Sequence, residues 1–192
     1  MKKVNNTSQF AIRTLSDFSH KLLLLLEEKR LEEISGQKLC NLCHYPRSTF
    51  YNYFEDIYDL MDYCWKDIMK DIDIEKYLKG DEEKGTLGIF VILYDYFDQY
   101  RNNIHRIFTK NTGRCMNSLR YFMRENIKEA IRLCSKTKDF PLREDVMVEY
   151  YALNIEMLLE KCFLEENTLS KQEAIQAVKF LLGTVEREVH KG

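Results

Sequence analysis

The sequence predicts an all-α fold, and three observations support this prediction. Glycine and proline, which end strands and form the tight turns of sandwiches and barrels, number only 7 and 2 among 192 residues. Apolar residues make up 45% of the chain and charged residues 31%, a mixture typical of amphipathic helices. Apolar positions also recur every three or four residues, which is the period of a helix with one buried face.

The first predicted helix begins near Phe10 and ends near Lys29. Thr7 or Ser8 can cap its start, because a hydroxyl oxygen accepts a hydrogen bond from a free amide of the first turn. Its apolar face is formed by Leu15, Phe18, Leu22 and Leu25. This pattern predicts a helix with one side packed on a core.

Two short helices separated by a turn follow. Ser35 is the predicted N-cap of the first, which extends to about Cys43. Pro46 disfavours helical backbone at Tyr45 and is tolerated in the first turn of a new helix, where its missing N–H would have no partner. A second short helix is therefore predicted over residues 47–53, so that the order is helix, turn and helix.

The rest of the chain also has helical periodicity. A fourth helix is predicted from about Asp56, and the charged, glycine-flanked segment 79–85 is predicted to be a surface loop. Ser170 and Glu173 have the spacing of a capping box, which predicts the start of the last helix. The later predicted helices lie at about 86–100, 102–111, 114–135, 143–165 and 170–190.

Composition excludes some functional classes and leaves nucleic-acid binding open. The N-terminus lacks the apolar run of a secretory signal, and no stretch reaches about 18 uninterrupted apolar residues, so we expect a cytoplasmic protein with no membrane segment. Without such a signal, the six cysteines are expected to be reduced thiols. The net charge of -2 gives no global basic footprint, although basic residues slightly outnumber acidic ones within residues 1–54.

One stretch carries a recognisable motif. It contains Thr49-Phe50-Tyr51, then Tyr53-Phe54, and then Asp56 and Leu60 at the start of the fourth predicted helix. In this order and spacing the sequence resembles the TetR/AcrR family of transcriptional regulators, whose recognition helix carries a threonine, an apolar residue and a tyrosine before a Tyr-Phe or similar pair. The resemblance runs from Phe10 to Leu60.

The resemblance implies both an architecture and a function. It implies a helix-turn-helix DNA-binding domain over residues 1–56 and a helical effector-binding and dimerisation domain over residues 57–192. The implied protein is a ligand-responsive regulator, a repressor, that binds a pseudo-palindromic operator in double-stranded DNA as a homodimer. It implies a small-molecule effector of unknown identity, no cofactor and no enzymatic activity. The alternative is a TetR-like regulatory partner protein that has lost DNA binding and acts by protein–protein contact.

By resemblance, the helix-turn-helix supplies the DNA contacts. The base-reading positions are Gln37, Arg47, Ser48 and Thr49, and the phosphate-contacting positions are Ser35, Tyr51 and Tyr53. Either tyrosine can instead pack its ring and expose only its hydroxyl. Two positions depart from the family: His44 stands in the turn where glycine is usual, and Ile57 stands where a lysine usually contacts phosphate. Losing that lysine removes one phosphate contact and lowers the slope of the salt dependence by about one unit.

The segment Cys40-Asn41-Leu42-Cys43-His44 permits other interpretations. It matches the Cys-x-x-Cys-His pattern of haem attachment and half of a zinc site, and its two thiols can also form a redox-active disulfide. Haem attachment requires an exported chain, and zinc needs two further ligands that no second pair supplies. We therefore predict no metal and leave the redox role open. The sequence also contains no recognisable catalytic set.

Aromatic residues and the last two helices carry the expectations for the second domain. An effector pocket can be lined by Phe90, Tyr94, Phe97, Phe108, Tyr121 and Phe122. The same residues can also form an ordinary core. The helices at 143–165 and 170–190 have more apolar surface than one core needs, and by resemblance they form the dimer interface, in which Val178 and Leu182 are predicted to lie. The apolar residues that suggest this surface are Val146, Tyr150, Leu153, Met157, Leu158, Ile175, Val178, Leu182 and Val185.

Overall fold

The computed structural model describes residues 8–72, 85–135, 142–165 and 168–182. These residues form nine α-helices and one 3-10 turn, with no strand among them, which confirms the all-α prediction. In chain order the elements are α1 (Gln9–Leu26), the 3-10 turn (Leu31–Glu33), α2 (Gly36–Cys43), α3 (Arg47–Tyr53), α4 (Ile57–Asp71), α5 (Thr86–Gln99), α6 (Arg101–Lys110), α7 (Arg114–Ser135), α8 (Glu144–Phe163) and α9 (Lys171–Leu181).

The helices belong to two compact units. The first unit contains the chain up to Ile68 together with His105–Leu119, and the second contains Met69–Ile104 and the chain from Arg120 onward. Helices α4, α6 and α7 therefore contribute residues to both units. The predicted domain limit between residues 56 and 57 stays a prediction. The structure adds that a segment distant in sequence packs with the N-terminal helices.

Aromatic rings form the centre of the first unit. Phe18 of α1, Phe50 of α3 and Phe54, which follows α3, are each at most 1% exposed. The centroids of the Phe18 and Phe50 rings lie 5.5 Å apart, as do those of Phe50 and Phe54. Burying one such side chain contributes about 1.5–3 kcal/mol. These three rings therefore hold α3 against α1.

Serine caps begin three of the helices, as the sequence predicts. Ser8 accepts a hydrogen bond from an amide in the first turn of α1 over 3.1 Å, and Ser35 does the same for α2 over 3.2 Å. Ser170 and Glu173 form the predicted capping box, in which the Ser170 amide donates to the Glu173 carboxylate over 2.9 Å. Each cap contributes about 0.5–2 kcal/mol. The predicted end of the last helix near residue 190 lies outside the described residues.

The second unit packs α5, α8 and α9 around an apolar core that includes Phe90, Leu93, Ile155 and Leu159. Ion pairs join α7 to α8: Arg124 donates to Glu156 and Arg120 donates to Glu160, in each case through two hydrogen bonds, of 2.5 and 2.9 Å. Glu156 is only 4% exposed, so its carboxylate needs this partner. None of the helices in the described part of the chain is long and apolar enough to cross a membrane.

Candidate nucleic-acid interface

A histidine in the left-handed conformation closes the turn between α2 and α3. His44 has φ 58° and ψ 36°, and no other non-glycine residue in the described ranges has a positive φ. The Tyr45 amide donates to the Cys40 carbonyl over 2.9 Å, which satisfies one of the carbonyls left free at the end of α2. Left-handed backbone costs a residue with a Cβ about 1–2 kcal/mol. His44 thus adopts the conformation for which the resemblance expects glycine.

The same turn is anchored on α1. The Tyr45 hydroxyl donates to the Asp17 carboxylate over 2.7 Å, and the Tyr45 ring centroid lies 5.5 Å from that of Phe18. The Cys43 thiol donates to the Asp17 carbonyl over 3.6 Å. The hydrogen bond to Asp17 raises the pKa of Tyr45, because ionisation of the phenol would remove the donor. These contacts fix the direction in which α3 leaves the turn.

Helices α2 and α3 approach each other closely at Gly36. A Cβ built on Gly36 would lie 2.9 Å from two atoms of the Phe50 ring. Phe50 is 1% exposed and has Phe18 and Phe54 as ring neighbours, so its ring cannot swing away without displacing them. The absence of a side chain at Gly36 is therefore what permits this helix–helix distance.

Three predicted DNA-contacting residues share the exposed side of α3. Arg47 and Ser48 are exposed in its first turn, and Thr49 beside them is half-buried. Tyr51 is 37% exposed, and the Arg47 guanidinium carbon lies 5.4 Å from the centroid of its ring. Because residues three and four positions apart are neighbours on a helix, Arg47, Ser48 and Tyr51 form one continuous polar surface.

The other two predicted phosphate contacts are less available than Tyr51. Tyr53 is 6% exposed, so its ring is packed, which is one of the two alternatives that the sequence leaves open. Ser35 is exposed, but its oxygen already accepts a hydrogen bond as the N-cap of α2. Phosphate contacts by these residues stay predictions.

Gln37 of α2 is paired with a residue that sequence analysis missed. The side-chain NH2 of Gln37 donates to Oδ1 of Asn41 over 2.9 Å, and both residues are exposed. The i, i+4 spacing of two amides on a predicted helix is the signal that could have indicated this pair. Asn41 thereby restricts the orientation of the Gln37 amide, the group that would face a base.

The thiols of Cys40 and Cys43 contribute to packing in the structure. Both are free, with Cys40 buried and Cys43 half-buried. Burial raises the pKa of both thiols, which lowers their thiolate fraction at neutral pH. Within the described ranges, no group of three or more His, Cys, Asp or Glu side chains is placed to hold a metal ion.

The six residues of the predicted effector pocket do not all lie in one unit. Phe90, Tyr94 and Phe97 are buried along α5 of the second unit, whereas Phe108 belongs to the first unit, where its ring stacks on Trp65 at 5.8 Å. Tyr121 of α7 is 61% exposed, and its ring contacts the adjacent half-buried Phe122. The pocket stays a prediction.

Arg101 occupies the aromatic region around Tyr94. Its guanidinium carbon lies 4.4 Å from the centroid of the Phe163 ring, and it donates to the Tyr94 hydroxyl over 3.0 Å and to the Cys162 carbonyl over 2.8 Å. Burial raises the pKa of Tyr94, so this hydroxyl is neutral at physiological pH. Tyr94 thus already has a protein partner at both its ring and its hydroxyl.

An apolar stripe lies exposed on α8. Its members are 36–48% exposed and follow one another at spacings of four, three and four residues: Val146, Tyr150, Leu153 and Met157. Phe180 of α9 is 72% exposed. By contrast, Val178 and Leu182 are each 1% exposed within the single chain. The prediction that these two residues form the dimer surface is therefore wrong, because they belong to the core of the second unit.

Comparison with known proteins gives a similarity in structure. No protein-family model and no curated protein matches the sequence. The chain is similar in structure to a candidate TetR-family transcriptional regulator from Syntrophomonas wolfei str. Goettingen, with a TM-score of 0.68 and 17% sequence identity. The similarity covers 93% of this chain and 95% of the other. At this identity the likeness shows a shared all-helical, TetR-like fold.

Proposed function

We propose that this protein is a ligand-responsive transcriptional regulator, a repressor, that binds a pseudo-palindromic operator in double-stranded DNA as a homodimer. The observation that carries the proposal is the geometry of α3. Its inner side is held by the buried Phe50, and its outer side presents Arg47, Ser48 and Tyr51. The likeness to a candidate TetR-family regulator supports the same function.

The exposed side of α3 has the chemistry of a major-groove reader. An α-helix with its side chains is about 10–12 Å in diameter and fits a major groove about 12 Å wide. Arg47 can donate two hydrogen bonds to guanine, and Ser48 can donate to or accept from a base edge. The Tyr51 hydroxyl can donate to a phosphate, which positions the helix without reading sequence.

The α8 stripe supports a homodimer. Apolar side chains spaced by four, three and four residues lie along one side of a helix, which is the pattern of a seam between two packed helices. An exposed apolar patch of this kind is typical of a protein–protein interface. A second copy of the chain is the occupant that a two-fold operator requires, because the dimer would hold two recognition helices about 34–36 Å apart, or a multiple of that distance.

Selection of duplexes from a random pool by the purified protein tests this function, and we expect an enriched inverted repeat. Arg47→Ala should then weaken binding to the selected duplex by about 1–3 kcal/mol and relax selectivity at one base pair. Tyr51→Phe should weaken selected and scrambled duplexes by similar factors, because it removes only a phosphate contact.

Arg132→Ala is the matched control, because Arg132 is also an exposed arginine but lies on α7 in the second unit and belongs neither to α3 nor to the α8 stripe. It should leave both affinities unchanged. If Arg47→Ala also leaves both unchanged while circular dichroism shows an intact fold, α3 is not the reading helix.

A partner protein without DNA binding is the second candidate, and the start of α4 favours it. Ile57 is 9% exposed and carries no charge where the resemblance places a phosphate-contacting lysine. Asp56 and Asp59 lie at the same helix start, where the Asp59 amide donates to the Asp56 carboxylate over 2.9 Å. Carboxylates at this place repel phosphate. Failure to enrich any duplex would favour this candidate.

A further inference from the structure

Local hydrogen bonds cap the C-terminal end of α1 only in part, because the Glu28 and Lys29 amides both donate to the same Leu25 carbonyl, over 3.1 and 2.8 Å. The helix stops at Leu26, no basic residue lies in its last turn, and the next four residues contain no glycine. The last carbonyls of a helix have no partner within the helix and need one from elsewhere. Residues 27–30 form the corner that follows α1, and Leu26 and Leu31 on either side of it are 0% and 1% exposed, so the backbone groups of these two leucines are shielded from water.

Asn111 supplies further partners from 80 or more residues away in sequence. Its side-chain NH2 donates to the Leu26 carbonyl over 2.9 Å and to the Lys29 carbonyl over 3.1 Å. Its Oδ1 accepts a hydrogen bond from the Leu31 amide over 2.7 Å. Asn111 is 3% exposed. One buried amide therefore closes the corner between α1 and the 3-10 turn, both as a donor and as an acceptor.

Two cations from the end of α6 bind the same corner. The Lys110 ammonium donates to the Glu27 carbonyl over 2.9 Å, and Arg106 pairs with the Glu27 carboxylate over 2.7 Å. Positive charge is favourable at the C-terminal end of a helix, where the free carbonyls carry partial negative charge. Residues 106–111 thus act together as a cap for α1.

We propose that Asn111 is a positioning residue for the DNA-binding helices, because it fixes the corner from which α2 and α3 are placed. Only Ile34 and Ser35 separate the 3-10 turn from α2, so the direction of the turn determines where α2 begins. Asparagine suits this role because its side chain both donates and accepts, whereas aspartate when ionised only accepts. The part of this inference that concerns DNA rests on the proposed function.

The test compares Asn111→Asp with Leu119→Ala. The aspartate has the same shape as asparagine and keeps the oxygen that accepts from the Leu31 amide. It replaces the NH2 group, which in the wild type donates to the Leu26 and Lys29 carbonyls, with an oxygen that cannot donate. Leu119 is 4% exposed, belongs to the same unit and makes none of these contacts, so its alanine variant loses stability through a cavity alone. Lys110→Ala is a milder variant that removes one contact and keeps Asn111.

Hydrogen exchange and DNA binding are measured at a temperature where every variant is folded. In Asn111→Asp, we expect exchange of residues 26–43 to accelerate and DNA affinity to fall by about tenfold or more, as the loss of several buried hydrogen bonds requires. Lys110→Ala should shift both in the same direction by less. Leu119→Ala should lower Tm and accelerate exchange by a similar factor throughout the first unit, with no selective increase at residues 26–43 and with DNA affinity within about twofold of the wild type.

Unchanged protection of residues 26–43 in both corner variants would overturn the inference, as would an increase in exchange at residues 26–43 that is equally selective in Leu119→Ala. If the wild-type protein binds no duplex, the proposed function fails. The exchange of residues 26–43 then decides by itself whether Asn111 positions these helices.

Discussion

Replacing Gly36 with alanine should destabilise the helix-turn-helix, although alanine is the better helix former. The new Cβ would meet the buried Phe50 ring at 2.9 Å, closer than carbon atoms pack in proteins. Overpacking of this kind costs about 1–3 kcal/mol, and the gain in helix propensity, at most about 1 kcal/mol, is smaller at a first helical position. We expect a net loss of about 1–2 kcal/mol in the free energy of unfolding and a fall in Tm of about 2–8 °C.

Urea denaturation followed by circular dichroism measures this loss, and a double-mutant cycle locates its cause. Phe50→Leu removes ring atoms from the contact, so Gly36→Ala should cost about 1 kcal/mol less in that background. Asn41→Ala, on the exposed face of the same helix, should change stability by no more than about 0.5 kcal/mol. A Gly36→Ala protein more stable than the wild type would refute the close approach of α2 and α3.

Three further predictions follow from the structure. His44→Gly should raise the free energy of unfolding in urea by about 0.5–1 kcal/mol, because glycine adopts the left-handed conformation without a Cβ clash, and a loss would show that the imidazole stabilises the turn. Substituting Leu153 and Met157 with glutamate should give a monomer by sedimentation with unchanged helical content, because both side chains are 42% exposed; a variant that still sediments as the wild type does would contradict the interface. Burial raises the pKa of Cys64 and of Cys115 to about 12, so neither thiol should be alkylated at pH 8 until the protein unfolds, as peptide mapping would show. Since both values are raised, the stability tied to these thiols is present below their unfolded pKa and should be lost as pH rises towards 12.

Helix starts could be predicted from the sequence because the chemistry that sets them is local. A serine cap depends on an amide two or three residues away, so Ser8, Ser35 and Ser170 identify α1, α2 and α9 without any knowledge of the fold. Pro46 similarly marks the start of α3, whose predicted range of 47–53 agrees with the structure. The motif residues of α3, from Thr49 to Phe54, could also be identified because they lie next to one another in the sequence.

The exposed stripe of α8 could be predicted only in part, because the sequence identifies Val146, Tyr150, Leu153 and Met157 as surplus apolar residues but groups them with Leu158, which is buried. Its buried residues include Met147, Val148 and Tyr151, and its exposed residues include Val146 and Tyr150, so apolar side chains occur on opposite sides of one helix. Periodicity identifies a face only when the other face is polar. The helix therefore signals a second contact surface through its excess of apolar residues, but packing alone decides which residues belong to it.

The orientation of the candidate DNA interface depends on contacts that are distant in sequence. Arg47 and Tyr51 share a side of α3 because of helical spacing, but the direction of that side depends on buried partners from other elements, above all Phe18 against Phe50 and Asn111 at the end of α1. In sequence, Asn111 stands before Thr112-Gly113 and is typical of a turn residue, and nothing in that pattern indicates burial. A buried amide is retained only where its hydrogen bonds are satisfied, and here the groups that satisfy it belong to the corner that precedes α2. Substitutions that abolish DNA binding should therefore occur at such buried polar positions as well as on the exposed side of α3, and the two kinds are distinguished by whether hydrogen exchange at residues 26–43 changes with affinity.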